Sequence, residues 1–133
     1  MRVRCVANTG KALPDSYLRV GYTRDSQFDV KVGTAYTVYG ISLRLGALSY
    51  LIDPEGEGCP NWYPVVLFEL ADARVPETWY FSFDTQHEQF GVPAVWGYEE
   101  LVMSEQHFDG LMERDRQALR VFARRRLDID SSG

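Results

Sequence analysis

Cysteine and long apolar runs are both scarce in this chain, and each scarcity narrows what it can be. The two cysteines, Cys5 and Cys59, stand far apart and lack the spacing of metal ligands. No segment approaches the roughly 20 apolar residues of a membrane helix. The opening "MRVRCVANTGKALPD" carries charge but not the apolar run of a signal peptide. The expectation is a cytoplasmic protein with reduced thiols and no membrane contact, in which Cys5 is a small buried hydrophobe.

Catalytic signatures are equally sparse. There is no G-x-S-x-G for a hydrolase serine and no G-x-x-x-x-G-K to cradle a phosphate. Asp84, His87 and Glu88 lie close together in "DTQHE", but so polar a loop reads as solvated rather than as a metal site. Asp53, Glu55 and Glu57 lack the ligand spacing of a calcium hand, which leaves "DPEGEGCPN" as an acidic, mobile surface loop. His87 and His107 read as surface or partly satisfied groups. Glu69, between apolar neighbours in "LFELAD", would have a raised pKa if buried unpaired. An outward position on a half-exposed strand accounts for it more simply. Glu99 and Glu100 point to opposite faces if "WGYEEL" is a strand. No catalytic residue, metal or cofactor is expected on these grounds.

What is present is enough material for one core. A chain of 133 residues is a single domain, and its 45% hydrophobic and 25% charged side chains are an ordinary globular balance. Aromatics make up 14% and fall in alternating runs, which favours strands. The formal net charge of −5 repels phosphate backbones, so nucleic acid is a disfavoured partner. The charge is also uneven. Of 19 acidic and 14 basic side chains, residues 104–133 hold six of each, leaving 13 and 8 for residues 1–103. The six late basic groups are all arginine: Arg114, Arg116, Arg120, Arg124, Arg125 and Arg126.

Along the chain, "RVRCVAN" alternates Val3, Cys5 and Ala7 against Arg2, Arg4 and Val6, a first strand. Residues 16–33 show little regularity, with Phe28 and Val30 as anchors into the core. In "AYTVYGISL", Tyr36 and Val38 share one face while Tyr39, Ile41 and Leu43 share the other. One face owns both sets only if the chain slips by a residue. Gly40 is placed for such a bulge or coil, which would let one strand serve two packed sheets. Gly46 in "LRLGA" suits a short hairpin with one left-handed residue. "ALSYLID" puts Leu48, Tyr50 and Ile52 on one side, and "WYPVVLFELAD" puts Val66, Phe68 and Leu70 on one side with Glu69 opposite. In "TWYFSF", Trp79, Phe81 and Phe83 are expected inside and Thr78, Tyr80 and Ser82 outside. A last strand is expected around Val95–Leu101.

From Ser104 the period changes. "SEQHFDG" reads as one helical turn capped by Ser104 and stopped by Gly110. Leu111, Ala118, Leu119 and Phe122 then fall on one stripe of a longer helix. The expected fold is mainly β (α+β): a small SH3-like barrel or a curled antiparallel sheet closed by a C-terminal α-helix, with an open α+β sheet as the other form. The β body covers about 1–103, the helical segment about 104–127, and 128–133 is a polar tail.

Two features are left for binding. Trp62, Tyr63, Trp96 and Tyr98 sit near breaker-rich segments where strands begin or end, and such amphipathic rings anchor partner contacts. Arg116, Arg120 and Arg124, four apart, stack on one helix face and would meet an acidic partner or RNA. Packing inside a small barrel is the competing account of the rings, and a solvated helix face that of the arginines. Taken together, "VRCVANTGKALP", "VGTAYTVYGI", "WYPVVLFEL", "WGYEEL" and "HFDGLMERDRQAL" resemble a group of small bacterial proteins of uncharacterised role. The resemblance implies, by analogy, an immunity partner that neutralises a toxin, and it carries over no catalytic residues. The leading expectation is therefore a non-enzymatic protein-binding module of immunity or regulatory type, with another protein, such as a toxin, as its partner. The alternatives are a small acid–base hydrolase or lyase using Glu69, His87 or Glu99, and an RNA-binding module using the arginine helix. A homodimer is left open, because unpaired strand edges invite pairing.

Overall fold

The alternation of Val3 and Cys5 with Arg2 and Arg4 produces β1 (Arg2–Cys5), with both apolar side chains buried and both arginines exposed. In the computed structural model, which describes residues 1–83 and 94–132, β1 lies between β2 (Ala35–Thr37) and β6 (Phe68–Asp72) in a three-stranded antiparallel sheet. The remaining strands are β3 (Gly40–Arg44), β4 (Ala47–Ile52), β5 (Asn61–Pro64), β7 (Tyr80–Phe83) and β8 (Ala94–Gly97). They form a second antiparallel sheet in the order β5-β4-β3-β8-β7.

The chain passes from one sheet to the other at Gly40, as its placement suggested. Tyr36 and Val38 belong to the core between the sheets, Tyr39 turns to the core on the far side, and Ile41 packs against the first core again. That sequence of faces is the one-residue slip. Its physical reason differs from the expected one. Gly40 is needed for space rather than for unusual backbone angles: a Cβ there would meet Leu101 Cδ2 at 2.3 Å and the Trp96 carbonyl at 3.2 Å. Gly97 lies directly opposite in the ladder and faces the same Leu101 methyl at 2.6 Å. The pair of glycines lets a helix approach the sheet closely. A second crossing follows β5, where Pro64 and a short 3-10 turn (Val65–Leu67) hand the chain to β6. The two sheets share these crossings, but among the described residues their ends do not pair into a closed barrel. The fold is α+β with curled antiparallel sheets.

The helices are α1 (Asp15–Leu18), α2 (Glu99–Met103), α3 (Glu105–Met112) and α4 (Arg116–Ser132). Ser104 caps α3 as expected, accepting the His107 backbone N–H at 3.1 Å. Gly110 does not stop it. A Cβ at Gly110 would lie 3.0 Å from that of Ala118, so this glycine serves the close crossing of α3 and α4. The stop is Arg114, which takes the left-handed conformation with φ 58°. Asp115 N–H then returns to Gly110 O at 2.9 Å and Arg114 N–H to Leu111 O at 3.3 Å, the paired bonds of a Schellman turn. Asp115 immediately caps α4 by accepting the Ala118 N–H. The expected polar tail is in fact the last turn of α4, with Ile129 buried.

Two cores result, one on each face of the larger sheet. Val3, Cys5, Tyr36, Val38, Ile52, Tyr63, Leu67 and Phe68 fill the space between the sheets, and Leu13, Tyr17 and Val30 close it from the irregular segment. Leu51, Val95, Leu101, Leu111, Ala118 and Phe122 fill the space between the larger sheet and the helices. Adjacent residues Leu51 and Ile52 thus serve opposite cores, both fully buried.

Several expectations need correction. Leu48 and Leu70 are exposed rather than inward: Leu48 is the second residue of β4, beside the hairpin, and Leu70 lies on β6, an outer strand of the smaller sheet. Glu99 and Glu100 begin α2 instead of continuing a strand. The clearest departure is in "TWYFSF". Trp79 packs against the first core, but Phe81 and Phe83 are 54% and 61% exposed, as β7 is the outer strand of the larger sheet.

Candidate functional site

At the β5 side of the larger sheet, a groove of about 660 Å³ opens between the 20–29 segment, the β3–β4 hairpin and α3. Its size is that of an ordinary ligand or side-chain cleft. Ser42 and Ser49, directly paired across β3 and β4, line it together with Trp62 and Tyr63 of β5. The rings are organised as two walls. Tyr22, Phe28 and Tyr63 run edge to face, with centroids 5.4 and 6.4 Å apart, and Trp62 leans on Phe108 at 5.6 Å. Tyr22, Phe28, Trp62 and Phe108 are half-buried, while Tyr63 is only 4% exposed. Charge sits at the margin. Asp29, Arg44 and Asp109 all line the groove, all are exposed, and none forms an ion pair among the described residues. Burial, with the Asp29 carboxylate second, pushes the Tyr63 hydroxyl up to about 12. Both tyrosines of the groove are therefore neutral donors at neutral pH, since burial raises Tyr22 as well.

Of the seven residues singled out in the sequence, the structure brings together two. Trp62 and Tyr63 are in the groove. Trp96 is half-buried at the opposite side of the sheet, with Phe81 against its ring at 4.9 Å. Tyr98 is buried in the second core, and its hydroxyl lies 2.6 Å from His107 Nε2. His107 is accordingly a buried group with a partner, not a surface one. Its burial lowers the imidazole pKa, only partly opposed by the Glu100 carboxylate. Arg116 and Arg120 stand exposed on the outer face of α4, and Arg124, on the same row, lies 3.6 Å from Glu100. Tyr22 and Phe108 are the groove residues that sequence reasoning missed. Neither lies in an alternating run, so no periodicity marks them.

The arginines divide into two sets. The outward row is Arg116, Arg120 and Arg124; Arg114, Arg125 and Arg126 point inward and hold the structure. Arg125 makes a two-pronged bond to Glu100, at 2.7 and 3.0 Å, with Glu99 at 3.6 Å. This bond holds Glu100 below the usual carboxylate range. Arg126 reaches the Asp53 carboxylate at 2.6 Å and the Gly56 carbonyl at 2.7 Å, and Arg114 donates to the Pro60 carbonyl. Asp53, whose side chain is 2% exposed, also accepts the Gly58 N–H. The 53–60 loop is thus pinned to the helical layer rather than free, and it supports the β5 side of the groove.

The acid–base candidates do not converge. Glu69 is on the exposed side of β6 beside Arg4, and Glu99 is on α2 beside Arg125, in different layers. Asp84, His87 and Glu88 lie outside the described residues. No group of acidic, histidine or cysteine side chains suited to a metal occurs among the described residues, and none of their helices is long and apolar enough to cross a membrane. No family model matches the chain, and no curated protein or solved structure matches it either.

Proposed function

We propose that this is a non-enzymatic protein-binding module of immunity or regulatory type, which takes a side-chain cluster of another protein into the groove beside β5. The observation that carries the reading is the groove itself: half-buried rings on two walls, with charges at the margin that form no ion pair among the described residues. Rings that are already held in place lose little freedom on binding, and peripheral charges set selectivity and encounter rate. The acidic excess before residue 104 favours a basic partner, such as the cleft of a nuclease toxin. The resemblance to small bacterial proteins supports the immunity-type form of the reading.

The test is capture from the native cell with a photocrosslinking residue replacing Gln27, an exposed position on the groove. A single crosslinked protein is expected. Its capture should fall about tenfold or more in Phe28→Ala and in Asp29→Lys/Asp109→Lys. It should be unchanged in Arg116→Ala/Arg120→Ala. Capture that depends on the arginine row and ignores the groove would overturn the reading and favour an acidic or RNA partner. Asp29→Lys/Asp109→Lys changes only exposed side chains, so a folding defect does not confuse the result.

A further inference from the structure

The groove beside β5 holds more hydrogen-bonding capacity than the chain itself uses. Ser42 and Tyr63 line it and are 6% and 4% exposed, yet neither hydroxyl has a hydrogen-bond partner among the described residues. The same holds for the half-buried Ser49, which pairs with Ser42 across β3 and β4. Buried polar groups are ordinarily satisfied, because leaving one unmet costs its full desolvation. Hydroxyls left open along a groove point to a ligand that completes them.

Charge gives the sign of that ligand. Each wall carries the dipeptide Phe-Asp: Phe28 and Asp29 on one, Phe108 and Asp109 on the other. Each wall thus offers a ring and, next to it, an exposed carboxylate that forms no ion pair among the described residues. Arg44 is the opposing charge in the lining, and it acts on the Tyr22 end, where its field counters the burial that raises that hydroxyl. At Tyr63 the Asp29 carboxylate adds to burial instead, and Arg114, which opposes it, is spent on the Pro60 and Leu111 carbonyls. The Tyr63 end is therefore the acidic one. Carboxylates only accept, hydroxyls accept as well as donate, and ring faces attract cations. A guanidinium answers all three, with five donors, no acceptor and a planar face that sheds its hydration readily.

We propose that the groove takes an arginine side chain of the partner protein, its guanidinium against the rings and its N–H groups bonded to the carboxylates and open hydroxyls of the lining. The inference rests on the protein-binding reading of the groove and names the side chain that it selects. An arginine also has an apolar stem, and Met112, 38% exposed on the same groove, is a surface for that stem to cover. Lysine would bring the charge without the planar spread of donors, and a neutral side chain of the same shape would leave both carboxylates unanswered.

The test is a titration of the full, nitrogen-15-labelled chain with the N-acetyl amide of arginine, followed by its amide and indole N–H signals. Shifts at Ser42, Ser49, Trp62 and Phe108 are expected, saturating with a Kd of about 1–10 mM, the range open to a ligand of this size. The N-acetyl amide of citrulline keeps the shape and loses the charge, and should bind about tenfold more weakly. The lysine amide should fall between the two. Asp29→Asn/Asp109→Asn should weaken the arginine amide about tenfold. Ser42→Ala should weaken it about threefold without loss of stability, since that hydroxyl bonds nothing in the free chain. No saturable shift up to about 50 mM, or equal binding of the arginine and citrulline amides, overturns the proposal. Crosslinking at Gln27 separates this failure from that of the underlying reading. A partner captured through Phe28 by a chain that ignores arginine amide removes the arginine and keeps the protein-binding module; arginine amide bound with no partner captured does the reverse.

Discussion

The two outer strands of the larger sheet begin from similar chemistry and end in opposite conditions. β5 carries "NWYP" and β7 carries "YFSF", both short, aromatic and uncharged. At β5, Trp62 is covered by Phe108 and Tyr63 by Phe28, and the preceding loop is tied down by Arg114 and Arg126. At β7, Phe81 and Phe83 stand open, with only Trp96 as ring support for Phe81. Strand pattern alone does not decide whether an aromatic face is covered. What decides it is how far the neighbouring layer extends, and that depends on segments distant in sequence.

The largest test of this contrast compares the two ends of one cross-strand row. Tyr63→Ala should cost about 3–5 kcal/mol in urea unfolding, because it opens a hole in the core between the sheets. Phe81→Ala should change stability by about 0.5 kcal/mol or less at concentrations where the chain is monomeric. Equal costs would mean that β7 is covered in solution and would remove the contrast. Next in size is the tie that supports the β5 side. Arg126→Ala strands the buried Asp53 carboxylate with a single backbone donor, for a loss of about 3 kcal/mol. Replacing both partners, Asp53→Asn with Arg126→Met, should recover much of that loss. A double variant as unstable as Arg126→Ala would show that the loop is held by something other than this pair.

These contrasts also mark where sequence reading reaches its limit. Period-2 alternation placed β1, and the doubled faces around Gly40 marked where the chain passes from one sheet to the other, as two strands rather than the expected shared one, because both are local signals. The stripe of Ala118, Leu119 and Phe122 placed α4 against the sheet for the same reason, but Leu111, read as part of the same helix, belongs to α3 on the other side of the turn at Arg114. "TWYFSF" misled, since alternation shows that a strand has two faces but not that either is covered. "DPEGEGCPN" misled in the opposite direction. Its glycines and acids look mobile, yet Asp53 meets an arginine 73 residues away. The groove was half legible. Trp62 and Tyr63 drew notice as rings beside breakers, whereas Tyr22 and Phe108 join them only through tertiary packing.

Acid should act on the helical layer before it acts on the groove. The Tyr98–His107 pair is buried between β8 and α3, faced by Glu100 of α2 and, beyond it, Arg125 of α4. His107 has a lowered pKa in the folded chain, so below about 6.5 the unfolded chain binds a proton that the folded one refuses. The unfolded state then holds more protons, and stability falls as pH drops through that range. Glu100 works in the same direction at lower pH: its depressed folded pKa gives stability that is lost as pH falls below the ordinary carboxylate range, near 4.5. Urea titrations from pH 7.5 to 5 should therefore show a decline that His107→Gln reduces to the part owed to the Met1 amino group, whose pKa burial also lowers, and that Glu100→Gln leaves in place. A slope undiminished in His107→Gln would place the responsible proton elsewhere.

The smallest expected effect concerns the hairpin at the groove's margin. Leu45 and Gly46 join β3 to β4 with φ of 49° and 81°, so both central residues are left-handed, where the sequence suggested one. That is the geometry for which Asn-Gly is preferred, and leucine there bears the strain of its Cβ against the backbone. Leu45 is 56% exposed, so little packing offsets this. Leu45→Asn should stabilise the chain by about 0.5–1 kcal/mol, raising Tm by about 2–5 °C. Arg44, one residue away, would keep its place on the groove, so capture at Gln27 should be unaffected. If Leu45→Asn instead destabilises the chain, leucine is covered there in solution, and the hairpin tip belongs to an interface.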